Sequence, residues 1–130
     1  MKEPVKNADK FSLRKKYQNF TYALSGLRTF ACEEHNIWLY ILGISFSVAL
    51  GFLFNIDRYE WLSQSVVTSL ICSAELMNTA VENAVDLASP KYHTLAKKAK
   101  DMAAAAVLLA ASGAFIVFLI IYLPKFCILL

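Results

Sequence analysis

Ser73-Ala-Glu-Leu-Met-Asn-Thr-Ala-Val-Glu-Asn-Ala-Val-Asp86 sets three carboxylates and an amide inside a run otherwise apolar enough to cross a membrane. On a helix turning about 100° per residue, Glu75, Asn78, Glu82 and Asp86 point to about 0°, −60°, −20° and +20°, a single face about 80° wide. A charged side chain at the centre of a membrane helix costs about 2.5–3.5 kcal/mol on insertion scales. A face with three acids is therefore expected to meet cations, protons or water. It reads as a working site.

The flanking sequence supports a membrane setting. The chain has 130 residues, 58% hydrophobic and 18% charged, with a mean hydropathy of +0.48. Soluble domains carry about 25% charge. Seven of the 13 basic residues lie in the first 28 positions and four more between Lys91 and Lys100. Each basic cluster borders an apolar run, so nucleic acid is not an expected partner. Cys32, Cys72 and Cys127 form no C-x-x-C pair and no metal-ligand spacing. The region before Asn36 is too polar to hold the apolar core of a secretion signal, so the spans themselves are expected to direct insertion.

Hydrophobic periodicity divides the chain into four helices within one domain, 1–130. Leu13, Tyr17, Phe20, Leu24, Leu27 and Ala31 recur every third or fourth residue, predicting an amphipathic helix over 10–34 that lies in the membrane surface. Ile37–Phe54 has no charged residue, which predicts a first span over 37–55. Asn55–Glu60 is a polar turn, with Asp57 and Glu60 expected to be solvated. A second span is expected over 61–87, ending before the loop around Pro90. The third, over 101–124, ends near Pro124 and carries a small-residue face from Ala103 to Ala114 suited to close helix packing. The expected fold class is an all-α membrane protein, a surface helix plus three transmembrane helices. Basic residues near the span ends divide 11 to 2, placing the N-terminus and the 88–101 loop in the cytoplasm and the C-terminus outside.

The acidic face then points to the cytoplasmic boundary, near Lys97, Lys98, Lys100 and Asp101 and near Glu33 and Glu34. Carboxylate oxygens without clustered His or Cys suit Mg²⁺. A carboxylate held out of water makes a proton acceptor, and neighbouring lysines can balance charge that moves on a phosphate. No G-x-x-x-x-G-K-[ST] loop is present. Two chemistries fit these residues equally: phosphoryl transfer to a lipid alcohol, or a proton or cation channel lined by Glu75, Glu82 and Asp86.

Glu75-Leu-Met-Asn-Thr-Ala-Val-Glu82, then Asp86, then Ala99-Lys-Asp-Met-Ala-Ala-Ala-Ala-Val107 resemble the bacterial diacylglycerol kinase family of small trimeric membrane enzymes. The resemblance runs from about Arg14 to Val117. It implies a lipid kinase using ATP and Mg²⁺, working as a homotrimer in the bacterial plasma membrane. It implies that Glu75 accepts the lipid hydroxyl proton and that Glu34 and Glu82 hold the metal with ATP. Asn78 and Asp86 would shape the site. Lys91, Tyr92, His93, Lys100, Asp101 and Tyr22 would contact the nucleotide, with Lys15 or Arg14. Where the proteobacterial branch has Gly-Ser after K-D-M, this chain has Ala103-Ala104, so Ala104 leaves the lipid side without a hydroxyl. Glu34-His-Asn36 is more similar to the Gram-positive branch, which implies undecaprenol as substrate, with diacylglycerol as the alternative.

Overall fold

A computed structural model of the chain describes residues 13–33 and 37–129, the side chains of Glu33 and Leu129 apart. Four helices account for it: α1 (Leu13–Glu33), α2 (Ile37–Leu53), α3 (Arg58–Ala88) and α4 (Thr94–Leu129). No strand occurs among the described residues. The chain divides into two units, Met1–His35, which holds α1, and Asn36–Leu130, which holds α2 to α4.

α1 keeps the expected apolar stripe. Leu13, Tyr17, Phe20, Leu24 and Leu27 are all exposed along it. Thr21 Oγ1 turns back to donate to the Tyr17 carbonyl at 3.0 Å.

In the second unit, backbone chemistry fixes where each helix stops. α2 ends in a left-handed residue, Asn55, with φ of 51°. The Ile56 amide donates to the Gly51 carbonyl at 3.1 Å and the Asn55 amide to Phe52 at 3.3 Å, the paired bonds that close a Schellman end. Asparagine tolerates that conformation better than most side chains. Gly51 is needed one turn earlier because of a close approach. A Cβ on it would lie 2.7 Å from Trp61 Cη2 and 2.8 Å from Cζ2, so the indole can cross the helix only over a bare backbone.

Asp57 is exposed, as expected of a turn residue, and Glu60 is half-buried, but the two also do structural work. Asp57 Oδ1 accepts the Tyr59 amide at 2.7 Å and the Glu60 amide at 2.9 Å, while Glu60 Oε2 accepts the Asp57 amide at 2.8 Å. This capping box starts α3 at Arg58, three residues before the span predicted from Trp61. Glu60 Oε1 also pairs with Lys125 Nζ of α4 at 3.0 Å.

α3 contains a ladder of serines whose hydroxyls serve themselves. Ser63, Ser65, Ser69 and Ser73 each donate to the carbonyl four residues back, at 2.8–2.9 Å. That satisfies a hydroxyl without water. α4 begins at Thr94 and runs through Pro124 to Leu129. Pro124 does not end the helix, because it removes only one amide donor and the turns that follow are held from outside. Lys125, paired to Glu60, and Phe126, edge-on to Phe54 at 4.8 Å, hold the last turns.

α3 and α4 form the most extensive pairing. The buried cluster of Leu50, Ile56, Ile121 and Tyr122 lies at the α2–α3 turn, with Phe54, Trp61, Val117 and Phe118 packed on it. Tyr122, 1% exposed, donates its hydroxyl to Gln64 Oε1 at 2.7 Å, with the Ser47 carbonyl at 2.9 Å sharing the proton. Elsewhere large apolar side chains face outward, among them Trp38, Leu42 and Phe46 on α2 and Leu108, Leu109 and Ile120 on α4.

Among the described residues one helix, Thr94–Ile128 within α4, is by itself both long and apolar enough to cross a membrane. α2 has 17 residues, about 25 Å at about 1.5 Å each, short of a hydrocarbon layer about 30 Å thick. α3 has the length, but its acids and amides dilute its apolar character.

Candidate active site

The site is built on the C-terminal half of α3, which runs unbroken through Glu75, Asn78, Glu82 and Asp86. Helical spacing stacks these four side chains one turn above another. Glu75 is 8% exposed, the one buried carboxylate among the described residues. An ionised group out of water needs hydrogen bonds to be tolerated. The Tyr40 hydroxyl of α2 supplies one, donating to Glu75 Oε1. Sequence reasoning missed Tyr40, which lies in an uncharged span. The available signal was its phenol, since a buried tyrosine hydroxyl usually finds a partner.

One turn on, Asn78 Nδ2 donates to Glu82 Oε1 at 3.0 Å. That contact fixes the amide's orientation. Among the described residues it leaves Asn78 Oδ1 buried with no hydrogen-bond partner. Glu82 itself is exposed. At the end of α3, Asp86 Oδ1 receives Lys100 Nζ of α4 at 2.6 Å, and the neighbouring Lys97 pairs with Asp101 at 2.5 Å. Both pairs are largely exposed, so each contributes about 0.2–1 kcal/mol. The first holds Lys100 beside the acidic face of α3, while the second lies within α4.

The connection from α3 to α4 positions three more predicted residues. Ser89 Oγ donates to the Lys91 carbonyl at 2.9 Å. His93 Nδ1 accepts the Leu95 amide at 3.2 Å, serving one of the unpaired donors at the start of α4. Its other ring nitrogen therefore carries the proton. Tyr92 is 82% exposed. Ala104 lies on α4 one turn past Lys100, also exposed.

The structure thus brings Tyr40, Glu75, Asn78, Glu82, Asp86 and Lys100 into one unit, with Lys91, Tyr92, His93 and Asp101 at its end. Arg14, Lys15 and Tyr22 lie on α1 in the other unit, all three exposed. Glu34 lies outside the described residues.

A cavity of about 290 Å³ opens among α2, α3 and α4, lined by Tyr40, Gly43, Val67, Cys72, Ala114 and Phe118. Tyr40 and Cys72 place Glu75 at one end of it. Gln64 and Ser47 mark the other.

The donor set can be tested against Mg²⁺, which prefers hard oxygens and usually takes one or two protein carboxylates together with substrate phosphates. Glu82, exposed and steered by the Asn78 amide, fits that use, and the orphan Asn78 Oδ1 is a second hard oxygen beside it. Among the described residues no three His, Cys, Asp or Glu side chains form a ready cation cage. An ion brought in with phosphates does not need one.

Comparison with known proteins agrees with this chemistry. The family described as Prokaryotic diacylglycerol kinase matches residues 21–122. The chain is 36% identical over 113 residues to the undecaprenol kinase of Bacillus subtilis, covering 87% of this chain and 92% of that protein. It is 35% identical over 100 residues to a diacylglycerol kinase of Synechocystis, 76% of this chain and 57% of that one. A diacylglycerol kinase of Helicobacter pylori is 35% identical over 88 residues, 68% and 69% of the two chains. The acidic face of α3 and the Ala99-Lys-Asp101 segment of α4 both fall inside the matched region, and the chain belongs to the prokaryotic diacylglycerol kinase family of lipid kinases.

Proposed function

We propose that this chain transfers the γ-phosphoryl group of ATP to a membrane lipid alcohol, undecaprenol, with Glu75 accepting the hydroxyl proton. The observation that carries the reading is the buried Glu75 carboxylate, held by Tyr40, which lines an apolar cavity, and set on the same α3 face as Glu82 and Asp86, the partner of Lys100. Family membership decides between the two chemistries that the residues alone leave open.

The lipid oxygen attacks the γ-phosphorus as its proton passes to Glu75. The bond from that phosphorus to the β,γ-bridging oxygen breaks, and ADP leaves with the electron pair. Such transfers depend mostly on positioning and electrostatics. Lys100 balances charge on the phosphates, and Asp86 sets its place. Glu82, with Glu34, holds the nucleotide's Mg²⁺, which supplies charge neutralisation when bound. Lys91, Tyr92, His93 and Asp101 are assigned to the nucleotide, and the family resemblance assigns Lys15 and Tyr22 of α1 to it as well.

The reading sets α2, α3 and α4 across the bacterial plasma membrane, with α1 in its surface. Basic residues around the ends place the N-terminus and the α3–α4 connection in the cytoplasm and the C-terminus outside. The outward apolar faces of α2 and α4 suit lipid. A homotrimer is the proposed assembly. Its support is the small-residue stripe of α4, where a Cβ on Gly113 would meet nothing within 4 Å. That face is bare enough for another helix to approach closely.

Undecaprenol is favoured because the Bacillus subtilis relative aligns over nearly its whole length. Diacylglycerol is the second reading, favoured by the names of the other relatives. ATP turnover in mixed micelles, with each lipid at matched mole fraction, separates them. Faster phosphorylation of undecaprenol is expected. A preference for diacylglycerol would keep the site and change the substrate.

A further inference from the structure

Tyr40 belongs to α2, the helix that contributes no acid, amide or lysine to the site. Its hydroxyl nevertheless reaches across to Glu75 Oε1. The contact gives the phenol hydroxyl and one oxygen of the buried carboxylate a hydrogen-bond partner in a setting where an unpaired polar atom is costly. A carboxylate on a three-bond side chain can rotate at its last bond, and a donor on one oxygen restrains that rotation. Tyr40 also lines the cavity beside Gly43 and Cys72, so it stands where that space meets the carboxylate.

We infer that Tyr40 is a positioning residue for phosphoryl transfer, fixing the Glu75 carboxylate at the angle from which it receives the lipid hydroxyl proton. The inference rests on the reading of Glu75 as proton acceptor. A general base must come within about 2.6–3.2 Å of the proton it takes, and a displacement of about 1 Å can cost about 100-fold in rate. In this reading Tyr40 acts through Glu75 and not on the nucleotide or the reacting atoms. Its loss should therefore lower kcat and leave binding alone.

The test uses the full chain in lipid micelles. Tyr40→Phe keeps the ring and removes only the hydroxyl. Its kcat should fall by about 10- to 100-fold, with KM for ATP and for the lipid within about twofold of the parent. Tyr40→His, which retains a ring N–H, should recover part of the loss and covers the case in which the phenylalanine variant does not fold. Glu75→Gln is measured beside them. Normal kcat in Tyr40→Phe with an inactive Glu75→Gln overturns the positioning role and leaves the proton acceptor standing. A raised KM at unchanged kcat, or a histidine variant no better than phenylalanine, also overturns it, since either marks a binding or packing role. Near-parental activity in Glu75→Gln would remove the proton acceptor itself.

Discussion

Replacing Tyr122 with Phe isolates the polar node that joins α4 to α2 and α3. The side chain is 1% exposed, and its hydroxyl donates to Gln64 Oε1 at 2.7 Å. Gln64 is itself 7% exposed, so water cannot replace the lost donor. Leaving a buried acceptor unsatisfied costs about 1–3 kcal/mol, while hydrogen bonds between membrane helices average about 0.6 and reach about 1.7. A loss of about 1–2 kcal/mol follows, a factor of about 5–30 in the folded-to-unfolded ratio. Unfolding by sodium dodecyl sulfate, followed through Trp61 fluorescence, reads it, because that indole packs on the same cluster. Adding Gln64→Leu to Tyr122→Phe removes both side chains of the node, leaving the Ser47 carbonyl to its helix, and should bring back most of the lost stability. Gln64 lies 11 residues before Glu75, about 16 Å along α3, so turnover should persist in every variant that folds. A Tyr122→Phe protein as stable as the parent would refute the reasoning. So would a double variant that loses the sum of the two single losses.

Gly51→Val should destabilise the α2–α3 turn by about 1–3 kcal/mol, since the new side chain meets the Trp61 ring at 2.7–2.8 Å already at Cβ. Sodium dodecyl sulfate unfolding checks it, and truncating Trp61 in the same chain should relieve part of the loss. Glu82→Gln should weaken Mg²⁺-dependent ATP binding by at least 10-fold while the helix content stays unchanged. An unaltered nucleotide titration would remove Glu82 from the metal's side of the site.

The helical acidic face was readable because the residues that compose it lie within one helix, where spacing alone sets direction. The Asp57–Glu60 cap was also written in the sequence, as an acid three residues before a glutamate at the start of an apolar run. Charged residues between two spans suggest solvent first, and Asp57 is indeed exposed while it caps α3. Tyr40 with Glu75, and Tyr122 with Gln64, were not legible. Their partners are 35 and 58 residues apart, and only the packing of three helices brings them together. Pro124 misled for a different reason. A proline in the middle of a helix breaks it, but this one sits where Glu60 and Phe54 hold the following turn from outside.

The central claim is that Glu75 takes the proton of a lipid alcohol as phosphate is transferred. The most direct test is single-turnover transfer of the labelled γ-phosphate to undecaprenol by the parent protein and by Glu75→Gln, at saturating Mg²⁺-ATP. The account predicts equal nucleotide binding in the two proteins and a transfer rate at least about 100-fold lower in the glutamine variant. Transfer at the parental rate in Glu75→Gln would contradict it.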